Sequence, residues 1–512
     1  MAGEQDRHPV LDRGNSLRDA RLQHPEDPVM DAGGESSARQ RPGEAGQAGR
    51  TSIIGLGASG LAAAHLALAK GGEVYVSDLR TDPETSARAD ELAARGASVQ
   101  LGGHDVERIA GSSVVVVSPG IPPEAPVLRA LRDRGVRWIS EPEFASRFFG
   151  GALIALTGTN GKTTTAALVT HLMKEAEMHV ALGGNIGAGL GPAASELALL
   201  EPPPDWYVVE VSSFQLADIE HFAPDIGVVT NLAPDHTDRY PSVEAYYADK
   251  ARLFDNATPE SRWVLDGDDP AVDALAGDAP GKRYYARTDA AHDAGATVGT
   301  SPAVPVEADG GFLRDGQLVL RIDGVEEILL REDELSLLGR HNRANAITAA
   351  ITASLAGASL DAIRAGLRGF RPLPHRLEPV VERDGVLWVN DSKATNVAAA
   401  RSAVLSLDRP VVLLLGGRDK GEDLAPLLPA LERNVRAVVL YGAARDRLED
   451  ALRGHVPLHR VDGSFDDAVH AAARLATRGD AILLAPACSS FDQFRNYEER
   501  GERFTALAKR EA

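Results

Sequence analysis

The chain has 512 residues, 44% of them hydrophobic and 25% charged, which suits a soluble globular protein of about three domains, and no apolar run approaches the roughly 18 residues that cross a bilayer. Its 54 Lys and Arg against 74 Asp and Glu leave a net charge of −20, which works against long-range capture of nucleic acid or anionic membrane, so any phosphate must be held locally. The single Cys488 excludes an intrachain disulfide, and the N-terminus lacks the apolar core of a secretory signal, so a reducing cytoplasm is expected.

Residues 1 to about 49 contain no Phe, Trp, Tyr or Ile and are dense in Arg, Asp, Glu, Gly and Gln. Such a segment cannot bury enough apolar surface to order itself and is expected to be a disordered tail. From Thr51 onward, short β-branched runs alternate with Ala/Leu-rich stretches of helical length, the pattern of parallel β-α-β layers. One block begins at Ser52-Ile53-Ile54 and includes Val114-Val115-Val116-Val117. A second begins at Leu153-Ile154-Ala155-Leu156, and a third near Val386-Leu387-Trp388-Val389. The expected organisation is α/β, with a tail over 1–49 and domains over 50–149, 150–371 and 372–512.

In the first block, Gly55-Leu56-Gly57-Ala58-Ser59-Gly60 lies between a strand and a helix, and Asp78 follows the strand Val74-Tyr75-Val76. That spacing fits a Rossmann-like dinucleotide fingerprint and keeps an NAD-binding oxidoreductase open.

The second block carries Thr157-Gly158-Thr159-Asn160-Gly161-Lys162-Thr163-Thr164 between an apolar strand and a helical stretch. Phosphate binds at such a turn. Backbone N–H groups and the helix N-terminus cradle the anion, Lys162 neutralises outer phosphates, and the Thr163 hydroxyl can ligate Mg²⁺. The generic G-x-x-x-x-G-K-[ST] loop would place Gly where Leu156 stands, so this loop is a shortened variant beginning at Gly158. Further along, the Asp315-Gly316 turn inside Gly311–Leu320 predicts a hairpin appended to the sheet, after a variable loop over 288–311.

The shortened loop resembles the ATP loop of the Mur ligases and folylpolyglutamate synthetases, which join an amine to a carboxylate at the expense of ATP. Other segments carry the same resemblance. Glu210 in Glu210-Val211-Ser212-Ser213 is similar to the family's metal-binding Glu, and His236 in Thr230–Tyr240 to its metal-site His. The resemblance implies that Lys250 is carbamylated and helps to orient Mg²⁺. Gly339-Arg340-His341-Asn342-Arg343-Ala344-Asn345 resembles the family's Gly-x-His-Asn-x-x-Asn signature, with Asn342 and Asn345 approaching the adenine side. Asp266 departs from the commoner Asn-x-Asp-Asp, which leaves its role open.

Within the family the chain looks most like the D-glutamate-adding branch. That likeness implies a Rossmann-like first domain holding a UDP-sugar through Gly57, Asp78, Arg80, Ser118, Pro119, Gly120 and Asn185, a central P-loop ATPase-type sheet, and a Rossmann-like C-terminal domain. Asn390-Asp391-Ser392-Lys393-Ala394-Thr395-Asn396 matches this branch. It implies Arg376 and Asp391 as ATP contacts and Lys393 as a catalytic group, alongside Gly158, Thr159, Asn160, Gly161, Lys162, Thr163 and Thr164 of the loop. Glutamate has two carboxylates and needs a cation and several donors; by resemblance these are Thr395, Lys420, Ser489, Ser490 and Phe491.

The implied activity is phosphorylation of the alanine carboxylate of UDP-N-acetylmuramoyl-L-alanine, followed by attack of the glutamate amine. ATP and Mg²⁺ are the implied cofactors, the substrates are the only implied partners, and a monomer is expected. Residue identities leave the handedness of the glutamate open. A catalytically dead nucleotide sensor is the other alternative, and retention of Lys162, Glu210, His236 and Lys250 together argues against it.

Overall fold

The computed structural model describes residues 49–186, 190–236, 239–288 and 307–511. The expected tail up to residue 48, Gly187, Thr237, Asp238 and the loop core at 289–306 lie outside them.

The first sheet contains β1 (Arg50–Ile54), β2 (Glu73–Asp78), β3 (Ser98–Leu101), β4 (Val114–Val117) and β5 (Ile139–Ser140) in the order β3-β2-β1-β4-β5. All four pairings are parallel. Ile53, Ile54, Val74, Val76 and Val116 are almost wholly buried, because helices cover both faces of a parallel sheet and its strands read as unbroken apolar runs. Strand order reverses between β1 and β4, which opens a crevice at their carboxyl ends.

Among the described residues, the central sheet has nine strands, ordered β14-β13-β12-β11-β10-β9-β6-β8-β7. They are β6 (Ala152–Thr157), β7 (Val180–Gly184), β8 (Trp206–Glu210), β9 (Ile226–Val229), β10 (Arg262–Asp266), β11 (Lys282–Arg287), β12 (Gly310–Arg314), β13 (Gln317–Ile322) and β14 (Val325–Arg331). β6 sits between β8 and β9, so the loop that follows it opens at a second switch point. Asp315 and Gly316 both adopt left-handed φ, 51° and 70°, and close the expected β12–β13 hairpin. The helix Lys162–Glu175 buries Leu168, Val169 and Leu172 against Ala346, Ile347 and Ala350 of the helix Arg340–Leu355, each large side chain contributing about 1.5–3 kcal/mol.

The third sheet is ordered β15-β16-β20-β17-β18-β19, from β15 (Glu378–Arg383), β16 (Val386–Asn390), β17 (Val411–Gly416), β18 (Val435–Tyr441), β19 (Leu458–Arg460) and β20 (Ala481–Leu484). It therefore starts before Val386. β15 is an antiparallel edge strand whose Pro379, Glu382 and Arg383 are exposed, so it lacks the apolar run that marks a central strand. Among the described residues, no helix is long and apolar enough to cross a membrane.

Candidate active site

The loop after β6 turns through Gly158 at φ 136° and Gly161 at φ 82°. A Cβ at these positions would lie 2.1 Å from Thr230 Oγ1 and 2.5 Å from Asn345 Oδ1, so glycine is required for both backbone and space. The segment after β9 holds the loop from the side. Asn160 N–H donates to Asn231 Oδ1 (2.9 Å), Thr230 Oγ1 donates to Asn160 O (2.6 Å), and Thr159 N–H donates to Asn231 O (2.9 Å). In the sequence Thr230 and Asn231 stand only as flanks of His236; a hydroxyl and an amide at a strand end are the one local signal of this support.

Four expected groups meet at this turn. Lys162 Nζ donates to the carbonyls of Gly158 and Thr159, each at 2.9 Å, and Lys250 Nζ donates to Gly158 O at 2.7 Å. Lys250 is 1% exposed, so burial and the neighbouring Lys162 ammonium lower its pKa well below the usual lysine range. Burial likewise lowers that of Lys162. Thr163 Oγ1 donates to Glu210 Oε2 at 2.7 Å, with both residues buried.

His236 is placed differently. It has a left-handed φ of 53° and an exposed ring set edge-on to Phe214 and Tyr246, with Nε2 3.9 Å from Asp235 Oδ2. The described residues contain no cluster of three or more His, Cys, Asp or Glu competent to hold a metal. Mg²⁺ needs no such cage, since one or two carboxylates, water and substrate phosphates complete its octahedron. The buried Thr163 hydroxyl and Glu210 carboxylate fit that requirement.

A cavity of about 270 Å³ opens beside the loop. It is lined by Asn160, Gly161, Thr164, Asn342 and Asn345 of the central domain together with Arg376, Asp391 and Lys393 of the third. Burial pushes the Asp391 carboxyl up to about 7. Burial, then Arg376, brings Lys393 down to about 8, and its Nζ lies 3.9 Å from the centre of the Tyr497 ring. The amides of Asn342 and Asn345 are partly committed: Asn345 Nδ2 donates to Asn342 Oδ1, and Asn345 Oδ1 accepts from Thr165 Oγ1.

The residues expected to hold glutamate come from loops at the ends of the third sheet. A short bridge joins Arg418 to Ser489, and Ser489 Oγ donates to Arg418 O at 3.1 Å. Ser490 is buried, Thr395 half-buried, Lys420 exposed, and Phe491 64% exposed. Asp235 reaches this domain by accepting from Asn396 Nδ2 at 3.3 Å, a contact that sequence reasoning missed.

In the first domain, a cavity of about 530 Å³ is lined by Gly57, Asp78, Arg80, Ser118, Pro119 and Gly120. Burial alone would raise the Asp78 pKa, but hydrogen bonds from the Arg80 guanidinium and from the backbone N–H groups of Leu56 and Arg80 hold it at about 2. Asn185 does not line that cavity. It is exposed at the end of β7, where its N–H donates to Glu210 O at 2.8 Å.

A phosphate loop at the switch point of the central sheet, in a chain built of three such sheets, defines a three-domain α/β nucleotide-binding protein. Family comparison is consistent across the chain: a MurD-like N-terminal domain matches residues 49–140, a Mur ligase middle domain 156–353, and a Mur ligase glutamate ligase domain 375–488. The chain belongs to the Mur ligase family. It is 40% identical over 459 residues to the UDP-N-acetylmuramoylalanine–D-glutamate ligase of Acidobacterium capsulatum, covering 89% of this chain and 95% of that protein. It is 42% identical over 475 residues to the enzyme of that name from Anaeromyxobacter dehalogenans, covering 90% and 98%. The fold is similar to that of a pseudomurein peptide ligase type C from Methanothermus fervidus, with TM-score 0.56, 19% identity, and coverage of 90% of this chain and 100% of that one. Nothing in these matches supports the oxidoreductase or sensor alternatives.

Proposed function

We infer that this chain joins D-glutamate to UDP-N-acetylmuramoyl-L-alanine with ATP, as a cytoplasmic monomer supplying a peptidoglycan precursor. The observation that carries this reading is the convergence of Lys162, Thr163, Glu210 and Lys250 on one phosphate loop, in a chain whose full-length relatives bear the name of that reaction.

The γ-phosphoryl group of ATP passes to the alanine carboxylate, leaving ADP and an acyl-phosphate. The glutamate amine then attacks the acyl carbon; phosphate departs with the C–O electron pair and the amine gives up a proton. Phosphoryl transfer asks of a protein mainly position and charge. Gly158 through Thr164 cradle the phosphates, while Lys162 releases its carbonyl partners to meet them. Arg376 and Lys393 face the γ-phosphate from the third domain. Asp391, Asn342 and Asn345 border the rest of the nucleotide.

Thr163, Glu210 and a carbamylated Lys250 would hold Mg²⁺, which supplies neutralisation of phosphate charge, and His236 would join them on turning its exposed ring from Phe214 and Tyr246. The depressed pKa of Lys250 supports carbamylation, because only a neutral amine adds to CO₂, forming an N–C bond and releasing one proton. Gly57, Asp78, Arg80, Ser118, Pro119 and Gly120 take the UDP-sugar, and Asn185, next to Glu210, serves its reacting end. Thr395, Lys420, Ser489, Ser490 and Phe491 take the glutamate.

Phosphate release from ATP should require UDP-N-acetylmuramoyl-L-alanine and glutamate together. Equal turnover with meso-diaminopimelate, or none with glutamate, would remove the assignment.

A further inference from the structure

The helix Val397–Leu405 begins where the segment carrying Thr395 ends, and its N-terminus is tied down from three sides. Asn396 caps it, with Oδ1 accepting from Ala399 N–H at 2.7 Å. The same side chain donates through Nδ2 to Asp235 Oδ2 of the central domain at 3.3 Å. The third tie is Glu422, whose Oε2 accepts from Val397 N–H at 2.9 Å. A carboxylate at this position satisfies one of the orphan N–H groups of a helix start and meets the positive end of the helix dipole.

Glu422 follows Lys420 by two residues, in the turn after β17. The start of that turn is joined to Ser489: Arg418 N–H donates to Ser489 O at 2.8 Å, and Ser489 N–H donates to Arg418 O at 3.1 Å. Asp419 shapes its middle, accepting from Gly421 N–H at 3.0 Å and from the Arg447 guanidinium at 2.6 Å. Gly421 takes a left-handed φ of 76°, which lets the chain reverse between Lys420 and Glu422. Lys420 thus stands between a tie to the Ser489 loop and a tie to the helix that follows Thr395. We propose that Glu422 is a positioning residue for the amino-acid substrate: its bond to Val397 N–H fixes Lys420 relative to Thr395 and so sets the length of dicarboxylate that the three loops accept. Asn396 and Val397 are buried, and Asn396 holds the helix start by itself, whereas Lys420 and Gly421 are exposed. Losing the Glu422 bond therefore frees the turn and leaves Asp391 and Lys393 in place. The inference rests on the reading of Thr395, Lys420 and Ser489 as glutamate contacts.

The test is steady-state kinetics of the full chain with ATP, UDP-N-acetylmuramoyl-L-alanine and either D-glutamate or D-aspartate, which is one methylene shorter. In the wild type kcat/KM should be about a hundredfold higher for D-glutamate. Glu422→Ala should raise KM for D-glutamate about tenfold and cut that preference by a similar factor, with KM for ATP and for the UDP-sugar unchanged. Glu422→Gln, whose amide oxygen accepts the same N–H without the charge, should keep both values within about threefold of wild type. A Gln variant as impaired as the Ala variant overturns the proposal, because Glu422 then acts by its charge on Lys420 and not through Val397. An Ala variant with wild-type KM and preference overturns it too, as does one in which all three KM values rise together. If the Ala variant does not fold, Glu422→Asp, one methylene too short for Val397 N–H, carries the same expectations. Wild-type use of D-aspartate as readily as D-glutamate overturns the proposal without any variant. Absence of turnover with D-glutamate in the wild type overturns the ligase reading beneath it instead.

Discussion

Lys162 and Lys250 donate to the same carbonyl oxygen, that of Gly158. Two buried ammonium groups around one acceptor repel, and burial penalises each charge further. Turning Lys250 into an anion would replace the repulsion with attraction and place a carboxylate beside Lys162. Lys250→Ala should therefore lower kcat by at least about 10³-fold, the scale of losing a main electrostatic group, with an unchanged circular dichroism spectrum; retained turnover would contradict the carbamate. Lys393 is charged below its pKa of about 8 and neutral above it. kcat/KM for ATP should therefore fall as pH rises through about 8, and Lys393→Arg, which stays charged past pH 12 or so, should lose that limb. An identical limb in both proteins would separate Lys393 from the phosphate. Neither property was legible from the residues: Lys250 stands in a helical stretch where a lysine ordinarily faces water, and only the packing of Tyr246 and the loop buries it.

Secondary structure was legible where local chemistry decides it. Asp315-Gly316 supplied the left-handed pair of a tight hairpin, and the apolar run before Gly158 marked a buried strand. β15 was missed because an edge strand buries little and tolerates Pro379. The support of the phosphate loop by Thr230 and Asn231 was also hidden, since it depends on β6 lying next to β9. That support makes the loop intolerant of a side chain. Gly158→Ala brings a Cβ to 2.1 Å from Thr230 Oγ1 at a φ that disfavours alanine, and the displaced loop should lose about 10²-fold in kcat/KM for ATP. KM for the UDP-sugar should stay as it was. A variant with wild-type ATP kinetics would show that this packing does not set the loop.

The 270 Å³ cleft is lined by loops of the central and third domains together, whereas the 530 Å³ cavity belongs to the first domain alone. Composition and strand runs revealed the three blocks; which loops meet is a matter of long-range packing, and the resemblance to the Mur ligases supplied what periodicity could not. The candidate nucleotide cleft joins loops of two domains, and Phe491 is 64% exposed at the loops proposed to hold glutamate. Both features fit a molecule whose domains rearrange around their substrates. Handedness of the amino acid is decided in that assembled pocket, beyond the reach of residue identities. The most direct measurement is a coupled phosphate-release assay with ATP, UDP-N-acetylmuramoyl-L-alanine and either enantiomer of glutamate. Release is expected with D-glutamate and background with L-glutamate; equal rates, or release with neither, would contradict the assignment.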